Sequence, residues 1–324
     1  MTELLPRRLA DISPKAYEHP ADRAATAALQ SIPGLDAVVR KLIEFQYERA
    51  YRQGFLAASV RLGPEQLPDI WHRYEDVIAT LDMPETYDLY LTQVPYANAA
   101  AIGSGKPMIV VNSGAVGLFD EDELQTVLAH EVAHILSDHV MYQTALMIIL
   151  RLMPLGRIPS LAGLPLLAIR SALLEWSRAA ELSSDRAATL VNRDPLVTCR
   201  TLMAMAGGRS SKHLNLDAFL VQAQDYHEWK STWDRFSRLR NELNQTHSYP
   251  VRRVAELQDW VRSGAYDRIV SGVYPKRSDP VDPGEHAEEA YRHYRDRFRK
   301  AFEDAGESLS SAADKMAEWL AGRR

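Results

Sequence analysis

The sequence predicts an α+β protein that is mainly helical, with one small antiparallel sheet packed on the helix that carries the candidate site. Three observations lead to this prediction. Apolar residues recur at helical spacing over much of the 324-residue chain. The stretch from Thr86 to Gly114 instead alternates apolar and polar residues between turn-like segments. A capping pattern at Asp120 then begins a helix that is rich in apolar residues.

The N-terminal region, residues 1–85, is expected to be helical because apolar residues such as Val38 and Leu42 recur near helical spacing. Strands are expected over residues 87–91, where apolar and polar residues alternate, and over the β-branched run "MIVV" at 108–111. The segment "GSGKP" before this run is typical of a turn. Hairpin connections between the strands are therefore predicted.

The next helix begins at Asp120, because Glu123 three residues later completes a capping-box pattern and acids favour the positive end of a helix. Further helices are expected over residues 166–192, 195–206 and 214–243. Residues 271–285 are rich in proline, glycine and charge, which indicates a linker. The predicted division is an N-terminal helical region (1–85), a core (86–270), the linker (271–285) and a C-terminal helical tail (286–324).

Composition excludes several classes of protein. The net charge is −5, from 38 basic and 43 acidic residues, whereas a nucleic-acid-binding protein usually carries a basic excess. Cys199 is alone, so no disulfide framework is expected within the chain, which fits a reducing compartment. The N-terminus has no apolar signal-peptide region. The expected location is therefore the cytoplasm.

Residues 140–174 are the most apolar part of the chain. Their charge-free runs are broken by Arg151, Arg157 and Arg170, so each run falls short of the ~20 residues that span a bilayer. The favoured interpretation is a buried helix, a loop and a second buried helix. The alternative is a hairpin that makes peripheral contact with a membrane surface.

The stretch "HEVAH" places two histidines four residues apart, with a glutamate directly after the first. Four residues of α-helix turn about 400°, so His130 and His134 lie on one face and can share a metal ion. Glu131 lies about 100° around the helix, where it can reach a water on that metal; this is the H-E-x-x-H zinc pattern. The alternative, two core histidines, needs a separate partner for each buried polar group. We therefore predict one zinc ion per chain.

A zinc site needs a third protein ligand. The metzincin class is excluded, since Ser137 and Val140 occupy the positions of its glycine and third histidine. His139 would lie about 140° around the helix from His134 and is interpreted as structural, or at most as a hydrogen-bonding partner of a ligand.

The segment "ELSSD" offers another source for the third ligand. Glu181 and Asp185 are four residues apart, so Glu181 can be the ligand and Asp185 can accept a hydrogen bond from a ligating histidine. The alternatives are a solvated helix face or ion pairs with Arg178 or Arg186, and spacing alone does not decide between them.

"HEVAH" followed by "ELSSD" resembles the gluzincin peptidases of the HtpX and CAAX-prenyl-protease family. "NAAAIGSGKPMIVVNSG" and "THSYPVRRVAEL" resemble further elements of that family in the same order. The resemblance implies a zincin-like metallopeptidase core. It also implies a role for each matching residue: zinc ligands His130, His134 and Glu181, the base Glu131, the ligand's partner Asp185, an active-site histidine His247 that stabilises the oxyanion or gates the zinc, and the element's arginine Arg253.

The chain departs from the family at two positions. Ala100 stands where an aromatic residue is usual, and this affects the expected substrate preference. Ser248 and Tyr249 separate His247 from Pro250, which makes Tyr249 a rival donor to the oxyanion. The chain also lacks the unbroken spanning helices of the family's membrane members, so the prenyl-protein substrate class does not carry over.

The expected function is a zinc-dependent metalloendopeptidase that acts on proteins or peptides, with a role in protein quality control. The strand formed by Met108, Ile109, Val110 and Val111 is expected to be a sheet edge that pairs with an extended substrate, or simply a core strand. The alternative function is a membrane-surface adaptor or quality-control factor with secondary activity. Apolar residues at helical spacing in the tail indicate packing on its own domain or on an unidentified partner helix.

Overall fold

The computed structural model describes residues 8–32, 34–44, 47–152, 163–228, 248–280, 292 and 294–296. Some predicted features lie outside these residues: His247, the loop expected between the two apolar helices, the end of the helix expected over 214–243, and nearly all of the tail. The described part is mainly helical and includes one four-stranded sheet, which confirms the predicted fold class.

The N-terminal region is helical, as predicted. Its helices are α1 (Pro20–Gln30), α2 (Leu35–Glu44), α3 (Tyr47–Ala58) and α4 (Pro68–Thr80). Helices α1 and α4 both begin with proline, whose fixed φ suits the first helical position and whose missing N–H costs nothing there.

The sheet contains β1 (Ser59–Arg61), β2 (Asp88–Thr92), β3 (Ala99–Ile102) and β4 (Met108–Asn112), in the order β1-β2-β4-β3. The pairs β1–β2 and β3–β4 are antiparallel, but β2 and β4 are parallel. The sheet is therefore mixed rather than wholly antiparallel. Alternation of apolar residues reports which face is buried and carries no information on the direction of the neighbouring strand.

The expectation that residues 108–111 form a sheet edge is wrong. Strand β4 lies between β2 and β3, and all five of its residues are buried. Ile109 and Val111 face one hydrophobic cluster, whereas Met108 and Val110 face another. A run without polar alternation is typical of a strand covered on both faces, so the core-strand interpretation is the right one. The edge beside the candidate site is β3.

The remaining helices follow the sheet: α5 (Ser113–Leu118), α6 (Glu121–Leu136), α7 (Val140–Leu152), α8 (Gly163–Asn192), α9 (Pro195–Gly207), α10 (Leu216–Glu228), α11 (Pro250–Arg262) and α12 (Ala265–Val270). The predicted capping box begins α6, with hydrogen bonds between Asp120 and Glu123 in both directions. Helix α6 ends at Leu136, and Asp138 adopts a left-handed conformation (φ 58°). His139 therefore lies beyond the helix, and its predicted angle around α6 does not apply.

Two hydrophobic clusters hold these elements together. The main core joins the inner face of the sheet to α4, α6, α9 and α11, through residues such as Tyr74, Leu128 and Trp260. The helical cluster joins α1, α2, α7 and α8, through residues such as Leu29, Ile148 and Leu173.

Helix α7 and residues 169–174 of α8 are thus mostly buried, in agreement with the favoured interpretation for these residues. Among the described residues, no helix combines the length and apolar character needed to span a bilayer.

Both ends of the described chain pack on this framework. Leu9, Ile12 and Tyr17 belong to the main core. The segment 271–280 lies against them: Ile12 and Lys276 form a β-bridge, and Arg277 binds Asp11 and Asp82. In the tail, Tyr294 packs against the helical cluster. The predicted boundaries at residues 85, 270 and 285 remain predictions.

Candidate metal centre

Helix α6 places two imidazoles side by side. His130 and His134 are one turn apart, and their Nε2 atoms are 3.1 Å from each other. Both side chains are buried, with His134 only 1% exposed. The same helix buries Leu128, Val132 and Ala133 in the main core. The helix is therefore held rigidly, and the two ring nitrogens point to one position.

Helix α8 brings a carboxylate to that position. One oxygen of Glu181 lies 3.5 Å from Nε2 of His130, and the other lies 3.5 Å from Nε2 of His134. The three ligand atoms all lie within 4.8 Å of one another, and Glu181 is fully buried. Two imidazole nitrogens and a carboxylate oxygen form a donor set that suits a first-row transition metal. The solvated-face alternative for Glu181 is thereby excluded.

Asp185 and Arg253 contact the residues of this triad and fix their positions. Oδ1 of Asp185 lies 3.1 Å from Nδ1 of His130. Arg253, on α11, forms ion pairs with Asp185 at 2.5 Å and with Glu181 at 3.0 Å. Burial would raise the pKa of Asp185, but the Arg253 guanidinium outweighs it and holds that pKa below its ordinary value. The charged Asp185 accepts a hydrogen bond from the Nδ1–H of His130, so that Nε2 of His130 can act as the lone-pair donor to a metal.

The two histidines have opposite pKa shifts. Burial lowers the pKa of His134 to about 3, so this ring is neutral. Burial acts in the same direction on His130, but the carboxylates of Glu181 and Asp185 outweigh it and raise the pKa of His130 to about 10. The carboxylates thus favour a positive charge between the rings, which a proton or a divalent cation can supply.

Glu131 lies between the triad and the sheet. Its Oε2 accepts a hydrogen bond of 2.7 Å from the backbone N–H of Ala101 on β3. This contact joins α6 to the edge strand and fixes the carboxylate at the cavity that His134 and Glu181 also line. The geometry suits a general base that acts on a water at the metal position.

A cavity of about 440 Å³ opens beside the triad. Its wall includes Glu131, His134 and Glu181, together with the whole of β3. Residues of α7 and Phe55 of α3 also line it. The buried triad is therefore accessible to a ligand that enters along the edge strand.

The two candidate oxyanion donors are placed differently. His247 lies outside the described residues, so its predicted role stays a prediction. Tyr249 directly precedes α11 and is half-buried. Its neighbour Ser248 is anchored by a hydrogen bond to the carbonyl oxygen of Arg178. Tyr249 does not belong to the described wall of the cavity.

Two further groups contact His134 that the sequence patterns do not predict. Nδ1 of His134 lies 3.1 Å from Oγ of Ser184 and 3.0 Å from the amide nitrogen of Gln143. Ser184 could have been suspected, because it lies three residues after Glu181 on the same helix. Gln143 carries no signal in the sequence, since only the packing of α7 against α6 brings it near.

Comparison with known proteins bears directly on this geometry. The profile of peptidase family M48 matches residues 64–261, which contain all of the triad. Plastoglobule-localized metallopeptidase 48, a chloroplast protein of Arabidopsis thaliana, is 34% identical over 269 residues, which is 80% of this chain and 76% of that protein. The chain belongs to peptidase family M48. It is therefore a metallopeptidase, a hydrolase that cleaves peptide bonds and depends on a metal.

Shorter matches connect this M48 chain to HtpX proteases. The HtpX homologue of Pyrococcus abyssi is 31% identical over 81 residues, 25% of this chain and 28% of that protein. The homologue of Streptococcus pneumoniae is 33% identical over 72 residues, 21% of this chain and 23% of that protein. No solved structure matches the chain at comparable significance. The resemblance to HtpX peptidases is thus confirmed.

Proposed function

We propose that this M48 peptidase is a zinc-dependent metalloendopeptidase whose ligands are His130, His134 and Glu181. The observation that carries the proposal is the convergence of these three buried donors within 4.8 Å of one another, with Glu131 beside them. Three N and O ligands from the protein, with a further position open to the cavity, are typical of catalytic zinc sites. One ion per chain is expected.

The residues of the chain divide the chemistry between them. When it is bound by the triad, zinc is a Lewis acid that can polarise the scissile carbonyl and lower the pKa of a nearby water. Glu131 takes a proton from the attacking water and later delivers it to the leaving amine. The segment His247–Tyr249 is proposed to provide the donor that stabilises the oxyanion, or, through His247, to gate the metal.

We propose that the substrate lies along β3 as an extended strand. The N–H of Ala101 points away from β4, toward Glu131, and the next outward N–H, that of Gly103, binds Thr144. The carbonyl oxygen of Asn98 instead accepts from Asn112 of β4. Because backbone groups alternate in direction along an antiparallel strand, the N–H of Ala99 and the carbonyl oxygens of Ala99 and Ala101 also point away from β4, whereas the N–H of Ala101 is already bound to Glu131. A peptide can pair with that edge by β-augmentation.

The cavity also indicates a preference among side chains. Met147 and Leu150 of α7 line it, together with Phe55, Ile102 and Val110. A largely apolar recess next to the triad favours a large apolar side chain near the cleaved bond. Such segments are exposed in unfolded proteins, which supports a role in protein quality control.

For location, we propose the cytoplasm, which fits the single cysteine. Peripheral membrane contact through residues 140–174, with peptidase activity secondary to an adaptor role, is the second candidate. Fractionation of cells with and without salt separates the two. Recovery of the protein in the membrane fraction would favour the second.

Metal analysis of ligand variants tests the central proposal. Purified protein should hold about one zinc per chain, and His130→Ala, His134→Ala or Glu181→Ala should lose it, because each removes one of three donors. Asp185→Asn should weaken zinc binding by roughly 10- to 100-fold, as changes in the partners of metal ligands typically do.

His72→Ala is the matched control, since His72 is an exposed histidine on α4. It should keep its zinc. Full zinc occupancy in Glu181→Ala would contradict the ligand assignment.

A further inference from the structure

A line of three buried side chains leads from the metal centre to the N-terminal helix. Nδ1 of His134 lies 3.0 Å from Nδ1 of His139. Nε2 of His139 lies 3.1 Å from a carboxylate oxygen of Asp22, on α1. His139 is 2% exposed and Asp22 is fully buried. None of these contacts is needed by the mechanism above.

The positions of the protons along this line follow from donor and acceptor chemistry. A carboxylate only accepts, so the ring nitrogen of His139 that faces Asp22 carries a proton. In the tautomer that carries this proton, Nδ1 of His139 presents a lone pair. That lone pair accepts a hydrogen bond from the Nδ1–H of His134, and the tautomer leaves Nε2 of His134 as a lone-pair donor toward the metal position.

The carboxylate at the end of the line is itself held in place. Oγ of Ser183 donates to Asp22 at 2.5 Å, and Oγ1 of Thr26 donates to it at 3.2 Å. Thr26 also accepts a hydrogen bond of 2.8 Å from the indole N–H of Trp176, whose ring packs edge-on against His139. Every donor near Asp22 thus favours its charged form, and the ring of His139 is fixed by packing.

Two other groups approach the same nitrogen of His134. The amide nitrogen of Gln143 is a donor and cannot accept its proton. Oγ of Ser184, at 3.1 Å, can accept it. His139 differs from Ser184 because its own ring is held by a charge-assisted hydrogen bond to the buried Asp22.

We propose that His139 and Asp22 are positioning residues for the metal ligand His134: they hold its ring in the tautomer that binds metal. Asp22 lies on α1, before the residues 64–261 that match the M48 profile. The N-terminal helix of this chain therefore completes the surroundings of a metal centre whose ligands all come from the family core.

Zinc affinity of the metal-free full-length protein, measured by competition with a chelator, tests the proposal without any substrate. His139→Ala removes the acceptor and should weaken zinc binding by roughly 10- to 100-fold. His139→Asn places an amide oxygen near the position of Nδ1 and should restore most of the affinity. Loss of peptidase activity cannot mimic this result, since only zinc binding is measured. Wild-type affinity in His139→Ala, or equal losses in both variants, would overturn the proposal.

The role of Asp22 is tested by a double-mutant cycle. Asp22→Asn should weaken zinc binding in the wild-type background and have no further effect in His139→Ala, because Asp22 acts through His139. Equal effects in both backgrounds, or no effect in either, would contradict the proposal that Asp22 acts through His139. Ala28→Gly is the control, because it weakens α1 at a residue of the helical cluster that does not contact His134, His139 or Asp22. It should lower thermal stability without changing zinc affinity.

Discussion

A substitution at Glu131 can test the proposed general base while the fold and the zinc content stay unchanged. Glu131→Gln keeps nearly the same shape, and the amide oxygen can still accept the hydrogen bond from Ala101. Zinc content and fold should therefore persist. Peptide cleavage should fall by about 10²–10⁴-fold, because glutamine cannot take a proton from the attacking water. A casein-based peptidase assay, with zinc measured in parallel, checks both expectations.

Glu121→Gln is the matched control for this change. It makes the same substitution on the same helix, but Glu121 lies in the exposed first turn and pairs with Arg73. Its cleavage rate should equal that of the wild type. Unchanged cleavage by Glu131→Gln would refute the proposed base, whatever the zinc content.

Single residues of the site differ in how far the sequence predicts them. His130, Glu131 and His134 lie within one helical turn, so their spacing alone predicts that they meet. Glu181 and Asp185 lie on another helix, and pairing them with α6 required the family resemblance. Contacts that link His139 to α1 depend on helix packing, and no local pattern encodes which helices pack together.

At the scale of elements, the limits of sequence reasoning appear in the sheet. The apolar run of β4 correctly indicates a strand, but a run of this kind belongs to a strand covered on both faces. The edge strand β3 consists of alanines and one isoleucine, and small residues give only a weak strand signal. The sequence therefore predicts a sheet edge at β4, whereas the edge strand of this hairpin is β3.

The two faces of helix α7 have different surroundings: one lines the cavity and the other packs in the helical cluster. Met147 is half-buried and lines the cavity, whereas Ile148 is fully buried in the helical cluster. Met147→Ala should enlarge the recess and lower kcat/KM about tenfold for peptides with a large apolar residue near the cleaved bond, relative to peptides with a small one. Kinetics on a matched pair of peptides measures this ratio.

Ile148→Ala is the control on the same helix. It should lower the free energy of unfolding by about 2–5 kcal/mol, since it removes buried methyl groups and leaves a cavity. The ratio of kcat/KM between the two peptides should stay at its wild-type value. An unchanged ratio in Met147→Ala would show that the recess does not select the side chain.

At the scale of the whole molecule, the helical content and the order of elements were predictable, because periodicity is a local property. The contact between residues 271–280 and the N-terminal segment was not predictable. Residues 271–280 have the composition of a linker, yet the backbone N–H of Ser13 binds the carbonyl oxygen of Pro275, and Arg277 binds the backbone oxygen of Asp82. Proline and charged residues predict irregular structure. An irregular segment can still be part of the folded unit when its backbone polar groups are hydrogen-bonded.

Two truncations test where the folded unit ends. Deleting residues 281–324 should leave zinc content unchanged and lower thermal stability only modestly, because it removes Tyr294 from the surface of the helical cluster. Deleting residues 271–324 should lower stability further, since it also removes the Ile12–Lys276 bridge and the contacts of Arg277 with Asp11 and Asp82. Thermal denaturation and zinc analysis of both proteins give the comparison. Loss of zinc after the shorter deletion would mean that the tail is part of the catalytic unit; equal stability of the two truncated proteins would mean that residues 271–280 are a linker after all.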